Sequence, residues 1–115
     1  MVNQYIPDEG DLIWLDFDPQ AGHEQAGRRP ALVISSWQFN KKASLAYVCP
    51  ITTRVKGYST ETALPAGLPV QGVVLCSHLR SADWQARNPK LIGKVPDDVL
   101  LSVREIVASI AGIET

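Results

Sequence analysis

The chain has 115 residues, 45% of them hydrophobic, with 11 basic and 12 acidic side chains and a formal net charge of −1. That length suits one domain, 1–115, around one modest core. The apolar runs are too short and too often interrupted by charge to span a membrane, and a near-neutral balance excludes a protein that binds polyanions over its whole surface. The charge is nevertheless segregated. Residues 1–25 hold six acids and no Lys or Arg, whereas residues 28–94 hold ten bases against only Glu61 and Asp83. A middle of that kind either forms a local phosphate-binding surface or scatters over several faces.

The opening Met1-Val2-Asn3-Gln4-Tyr5 has neither a basic nor an apolar leader character, so the cytoplasm is the expected compartment. Residues 10–17 read as the first strand. One alternate row, Ile13, Leu15 and Phe17, looks like core; the other, Leu12, Trp14 and Asp16, is free to face a groove or partner. Residues 18–27, with Pro19, Gly22 and Gly27, read as a loop. Residues 30–36 form an apolar run, a buried strand with Pro30 confined to its beginning. Residues 45–51 predict a third strand, 52–58 a polar loop and 60–64 a short strand. Pro and Gly in 65–69 predict a turn, and 72–77 and 91–95 two further strands. Pro96 suits a first helical position, Asp97 and Asp98 a first turn, and Val99, Val103, Ile106, Val107 and Ile110 an apolar stripe that Gly112 can end. Cys49 and Cys76 are far apart, in apolar runs and outside any CxxC pair; they read as buried strand thiols and not as metal ligands. Several short strands and one terminal helix predict a mainly β fold with a C-terminal α-helix, a small antiparallel SH3-like barrel.

The stretch Gly10-Asp11-Leu12-Ile13-Trp14-Leu15-Asp16-Phe17-Asp18-Pro19, the segment Gly22-His23-Glu24-Gln25-Ala26-Gly27-Arg28-Arg29-Pro30-Ala31-Leu32-Val33, then Pro50-Ile51-Thr52-Thr53, Gly72-Val73-Val74-Leu75, Leu79-Arg80 and Asp83-Trp84 follow one another in that order. Together they resemble the MazF/PemK family of endoribonuclease toxins over nearly the whole chain. The resemblance implies an SH3-like barrel and a homodimer. It implies cofactor-free, metal-independent cleavage of single-stranded RNA at short motifs, and a cognate antitoxin whose flexible acidic segment lies across the RNA groove.

It also implies a site. Cleavage without metal uses the neighbouring 2′-OH as nucleophile, so the enzyme must align that hydroxyl, stabilise a charged phosphorane and move two protons. Arg29 is the implied phosphorane-binding guanidinium, because its planar fork matches phosphate oxygens and stays charged. Thr52 supplies a hydroxyl donor at a strand end; the alternative is a turn-capping threonine. Glu24 is the implied catalytic carboxylate, either as base or as the group that holds Arg29, while His23 and His78 are alternative proton carriers. RNA contacts are expected from His23, Gln25, Arg28, Thr53, Arg54, Lys56, His78 and Arg80. In one place the sequence departs from the family. Leu75-Cys76-Ser77-His78 stands where many members carry Asp-Gln and the Kid/PemK branch adds an Arg before that Asp. The corresponding alternative is a catalytically weak or inactive module that binds nucleic acid or antitoxin.

Overall fold

The computed structural model describes residues 4–17 and 27–113. Seven strands and two helices follow in the order β1 (Asp11–Phe17), β2 (Gly27–Val33), α1 (Trp37–Ala43), β3 (Ala46–Thr52), β4 (Glu61–Ala63), β5 (Val73–Leu75), β6 (Arg80–Ala82), β7 (Lys90–Lys94) and α2 (Asp97–Ile110). Short 3₁₀ turns occupy Cys76–His78 and Trp84–Arg87. The strands are antiparallel in the order β4-β5-β3-β2-β1-β7, and β6 also pairs with β3. The mainly β fold with a terminal helix is as the sequence predicts. The barrel is looser than expected: the path runs from β4 to β7 without closing into a ring.

The β1 pattern needs correction. Ile13, Leu15 and Phe17 are buried with Ala31, Val33, Ala46, Val48, Ala82 and Trp84. Leu12, assigned by alternation to an open row, is also fully buried, in a second cluster with Leu32, Ile51, Val74, Val99, Leu100 and Val103. The reason is α2, whose apolar stripe covers that face, so β1 is apolar on both sides at its start and polar-out only at Trp14 and Asp16. On α2, Leu100 joins the buried stripe while Ile110 is 53% exposed. Pro96 is the N-cap and not the first helical residue. The end is a Schellman cap: Gly112 takes a positive φ, its N–H donates to Ser109, and the Ile113 N–H donates to Ala108.

Strand β2 starts three residues earlier than its apolar run and stops at Val33. Pro30 therefore lies mid-strand, paired across β1 with Trp14. This is tolerated because the opposite edge of β2 is bonded to β3 only from Ala31 onward. The run 72–77 is strand only over Val73–Leu75, after which the chain tightens into a 3₁₀ turn. Cys49 and Cys76 are buried and unlinked, and burial raises both thiol pKa values. Cys76 lies on the turn and not in a strand.

Helix α1 was not expected from the sequence. Its N-cap is Ser36, whose Oγ accepts from Phe39 N–H. Its one buried residue is Asn40, whose Nδ2 donates to the carbonyls of Pro7 and Ser35, at 2.8 and 3.1 Å, while Trp84 Nε1 donates to its backbone carbonyl at 3.1 Å. Trp84 is thus a core residue. Among the described residues no helix is long and apolar enough to cross a membrane.

Candidate active site

Strand register carries the site. In the β1–β2 ladder Leu15 pairs with Arg29, so Arg29 shares the face of Leu15 and Phe17. In the β2–β3 ladder Ala31 pairs with Pro50. Arg29 and Thr52 each lie two residues beyond that last pair, so strand alternation puts both on its face. Strand β6 pairs Arg80 with Val48, again the same face. The Arg80 guanidinium carbon lies 5.1 Å from the centre of the buried Phe17 ring. One apolar cluster, which also holds Ile13, Leu15, Val48 and Trp84, is therefore bordered by Arg29, Thr52 and Arg80.

Thr52 is the last residue of β3 and buried. Its Oγ1 accepts from Arg54 N–H at 3.1 Å. The turn-capping role is real, and it also fixes the rotamer: one lone pair is engaged by the backbone, and the hydroxyl proton remains suited to donation. Behind Thr52 lies Gly72 at φ +117, where an added Cβ would come within 2.2 Å of the Thr52 carbonyl oxygen. The following loop is fixed from within. The Glu61 carboxylate accepts from Gly57 N–H at 2.9 Å and from Lys56 N–H at 3.2 Å, while Thr53, Arg54 and Lys56 are exposed.

Arg28 points the other way. Paired with Asp16, it donates from Nη1 to Asp16 Oδ1 at 2.9 Å. Asn88, in the left-handed conformation, donates to Asp16 Oδ2 at 2.9 Å, and Arg87 donates to the Asp16 carbonyl at 3.1 Å. This group ties the 84–87 turn to the end of β1 and the start of β2. Hydrogen bonds from Asn88 and Arg28 hold the Asp16 carboxyl below the usual carboxylate range. A carboxylate with a lowered folded-state pKa stabilises the fold above its unfolded value and loses that contribution as pH falls through the folded one. Below about pH 4 the melting temperature should therefore fall less steeply in Asp16→Asn than in the unaltered protein. Parallel slopes would remove Asp16 from the acid transition.

His78 ends the 3₁₀ turn, half-buried, with Ser77 exposed beside it. His23, Glu24 and Gln25 lie outside the described residues. Among the described residues no group of three or more His, Cys, Asp or Glu side chains is placed to hold a metal ion. Sequence reasoning missed three contributors. Asp16 fastens the end of β1 to β2 and the 84–87 turn, Phe17 underlies Arg80, and Gly72 lets β5 approach Thr52. Only Gly72, directly before a β-run, carried a local signal.

A small antiparallel sheet is covered by a helix on one face and carries Arg29 near the start of β2 and Thr52 at the end of β3. The family described as PemK-like, MazF-like toxin of type II toxin–antitoxin system matches residues 8–111. The endoribonuclease toxin MazF of Escherichia coli strain K12 is 41% identical over 112 residues, 97% of this chain and 100% of that protein. Crystalline MazF from Deinococcus radiodurans superposes with a TM-score of 0.91 at 51% identity, covering 96% of this chain and 100% of that one. A MazE–MazF complex from the same organism superposes at 0.87 with 48% identity, again over 96% of this chain and 100% of that chain. The chain belongs to this toxin family.

Proposed function

We propose that the protein is a toxin endoribonuclease that cleaves single-stranded RNA sequence-selectively and without metal, leaving 2′,3′-cyclic phosphate and 5′-OH ends. The observation that supports it best is strand register: Arg29 on β2 and Thr52 on β3 fall on the same face as the Ala31–Pro50 pair that joins their strands. In this scheme the 2′-oxygen forms a bond to phosphorus as the bond to the 5′-oxygen breaks. Arg29 carries the charge that develops on the non-bridging oxygens, and the Thr52 hydroxyl donates to one of them. The 2′-OH proton passes to a base, with Glu24, His23 and His78 the candidates, and the departing 5′-oxygen gains a proton. His23, Gln25, Thr53, Arg54, Lys56 and His78 contact the flanking RNA. Arg28, engaged with Asp16, serves the same surface by holding β1 to β2.

The test is cleavage of a long RNA by the purified protein with and without chelator. Activity should survive excess EDTA, and the products should resist ligation until phosphorylated. Inhibition by EDTA that added Mg²⁺ or Mn²⁺ reverses would point to another mechanism. Persistent binding without any cleavage would favour the inactive-module reading suggested by Ser77.

The structural relatives include MazE–MazF complexes, and the same mode of control is proposed for this chain. Two copies would join their basic middles into a longer groove, and an extended acidic segment of a cognate antitoxin would occupy it. Inhibition should then compete with RNA, and high salt should weaken both interactions. A sedimentation profile showing monomer alone at micromolar concentration would remove the dimer. A neutralising partner that binds together with uncut RNA would remove groove blocking.

A further inference from the structure

Arg80 differs from Arg28 and Lys94 in what holds it. Arg28 and Lys94 are paired with carboxylates, to Asp16 in the first case and to Asp8 and Asp11 in the second. Among the described residues Arg80 takes no carboxylate. Its guanidinium lies over the Phe17 ring instead, at 5.1 Å from the centroid. A ring quadrupole attracts the cation but accepts none of its N–H groups in the plane, so the fork is located while its donors stay available. Phe17 is itself only 3% exposed. It cannot swing away with the cation, and Arg80 is fixed in direction as well as place.

The surroundings favour one kind of ligand. The pair sits at the edge of the apolar cluster that Arg29 and Thr52 also border, with Leu15 directly opposite Arg29. A phosphate needs charge and tolerates a mobile cation, which exposed Arg54 and Lys56 already offer in the neighbouring loop. A nucleobase edge needs donors directed in a fixed plane, and the guanidinium braced on the Phe17 ring supplies them. We propose that Arg80, positioned by Phe17, is the group that reads the acceptor edge of a base next to the scissile phosphate. It thereby sets part of the cleavage preference. The inference rests on the ribonuclease reading above.

Arg80→Lys keeps the charge and removes the planar fork, and Phe17→Leu keeps an apolar side chain and removes the ring. Each variant, with the unaltered protein, would be profiled for cleavage positions across a long RNA. Each would also be measured for affinity to an oligonucleotide carrying a 2′-deoxy residue at the cut. Arg80→Lys should relax preference at one position beside the cut and weaken binding about tenfold, as expected for a lost bidentate base contact. Phe17→Leu should relax the same position, with its melting temperature recorded to confirm folding. An Arg80→Lys protein with unaltered profile and affinity would overturn the inference in favour of a simple phosphate contact. So would a folded Phe17→Leu protein with the original profile. If Phe17→Leu does not fold, Arg80→Lys alone decides. An unaltered protein that cuts no RNA overturns the ribonuclease reading itself, a result distinguishable from both.

Discussion

Arg29→Ala should reduce RNA cleavage by about 10²–10³-fold, the usual consequence of removing one preorganised donor from a developing anion. The fold should persist. Arg29 is half-buried at the open end of β2, outside both apolar clusters, and alanine fits its strand conformation. Melting followed by circular dichroism, alongside initial cleavage rates, separates the two effects. Near-normal cleavage by the folded variant would remove Arg29 from the mechanism. Thr52→Ala should lose less activity, since it removes a neutral donor, and should lower stability by about 1 kcal/mol because Arg54 N–H loses its acceptor.

Gly72→Ala should be the most damaging substitution outside the chemistry. At φ +117 an L-residue is strained, and its Cβ would lie 2.2 Å from the Thr52 carbonyl oxygen, 2.9 Å from its carbonyl carbon and 3.2 Å from Thr53 Cα. All three are backbone atoms, so no side chain can rotate to relieve the contact. Backbone strain together with the displacement of β3 should cost about 3 kcal/mol or more, read as a fall in denaturation midpoint. The fraction that still folds should also cleave slowly, because the atoms displaced are those that carry the Thr52 hydroxyl. Wild-type stability and rate in this variant would show that β5 and β3 do not meet this closely.

Periodicity in the sequence reports what each segment buries when one neighbour dominates. The stripe of α2 and the run at Val73 were legible for that reason, and Arg29 and Thr52 stood out because they end apolar runs within specific motifs. Leu12 was misread because a strand covered on both faces has no alternation to show. Helix α1 went unseen because seven residues give too few turns for a period, and Ser36 was its only local sign. The contacts of Asp16 with Asn88, and of Phe17 with Arg80, depend on register and chain reversal between distant segments. Neither was available from spacing. The positions of His23, Glu24 and Gln25 fall outside the described residues, and their roles rest on the motif.

Asn40 has a consequence for how this molecule opens. Its amide and carbonyl engage the N-terminal segment at Pro7, the link between β2 and α1 at Ser35 and the 84–87 turn through Trp84. Releasing any of these strands a buried polar group. The three segments, far apart in sequence, therefore share one opening free energy and behave as a single cooperative unit. Because the 84–87 turn also anchors the Asp16 strand end, local unfolding at the amino terminus should reach the end of β1 without passing through the sheet.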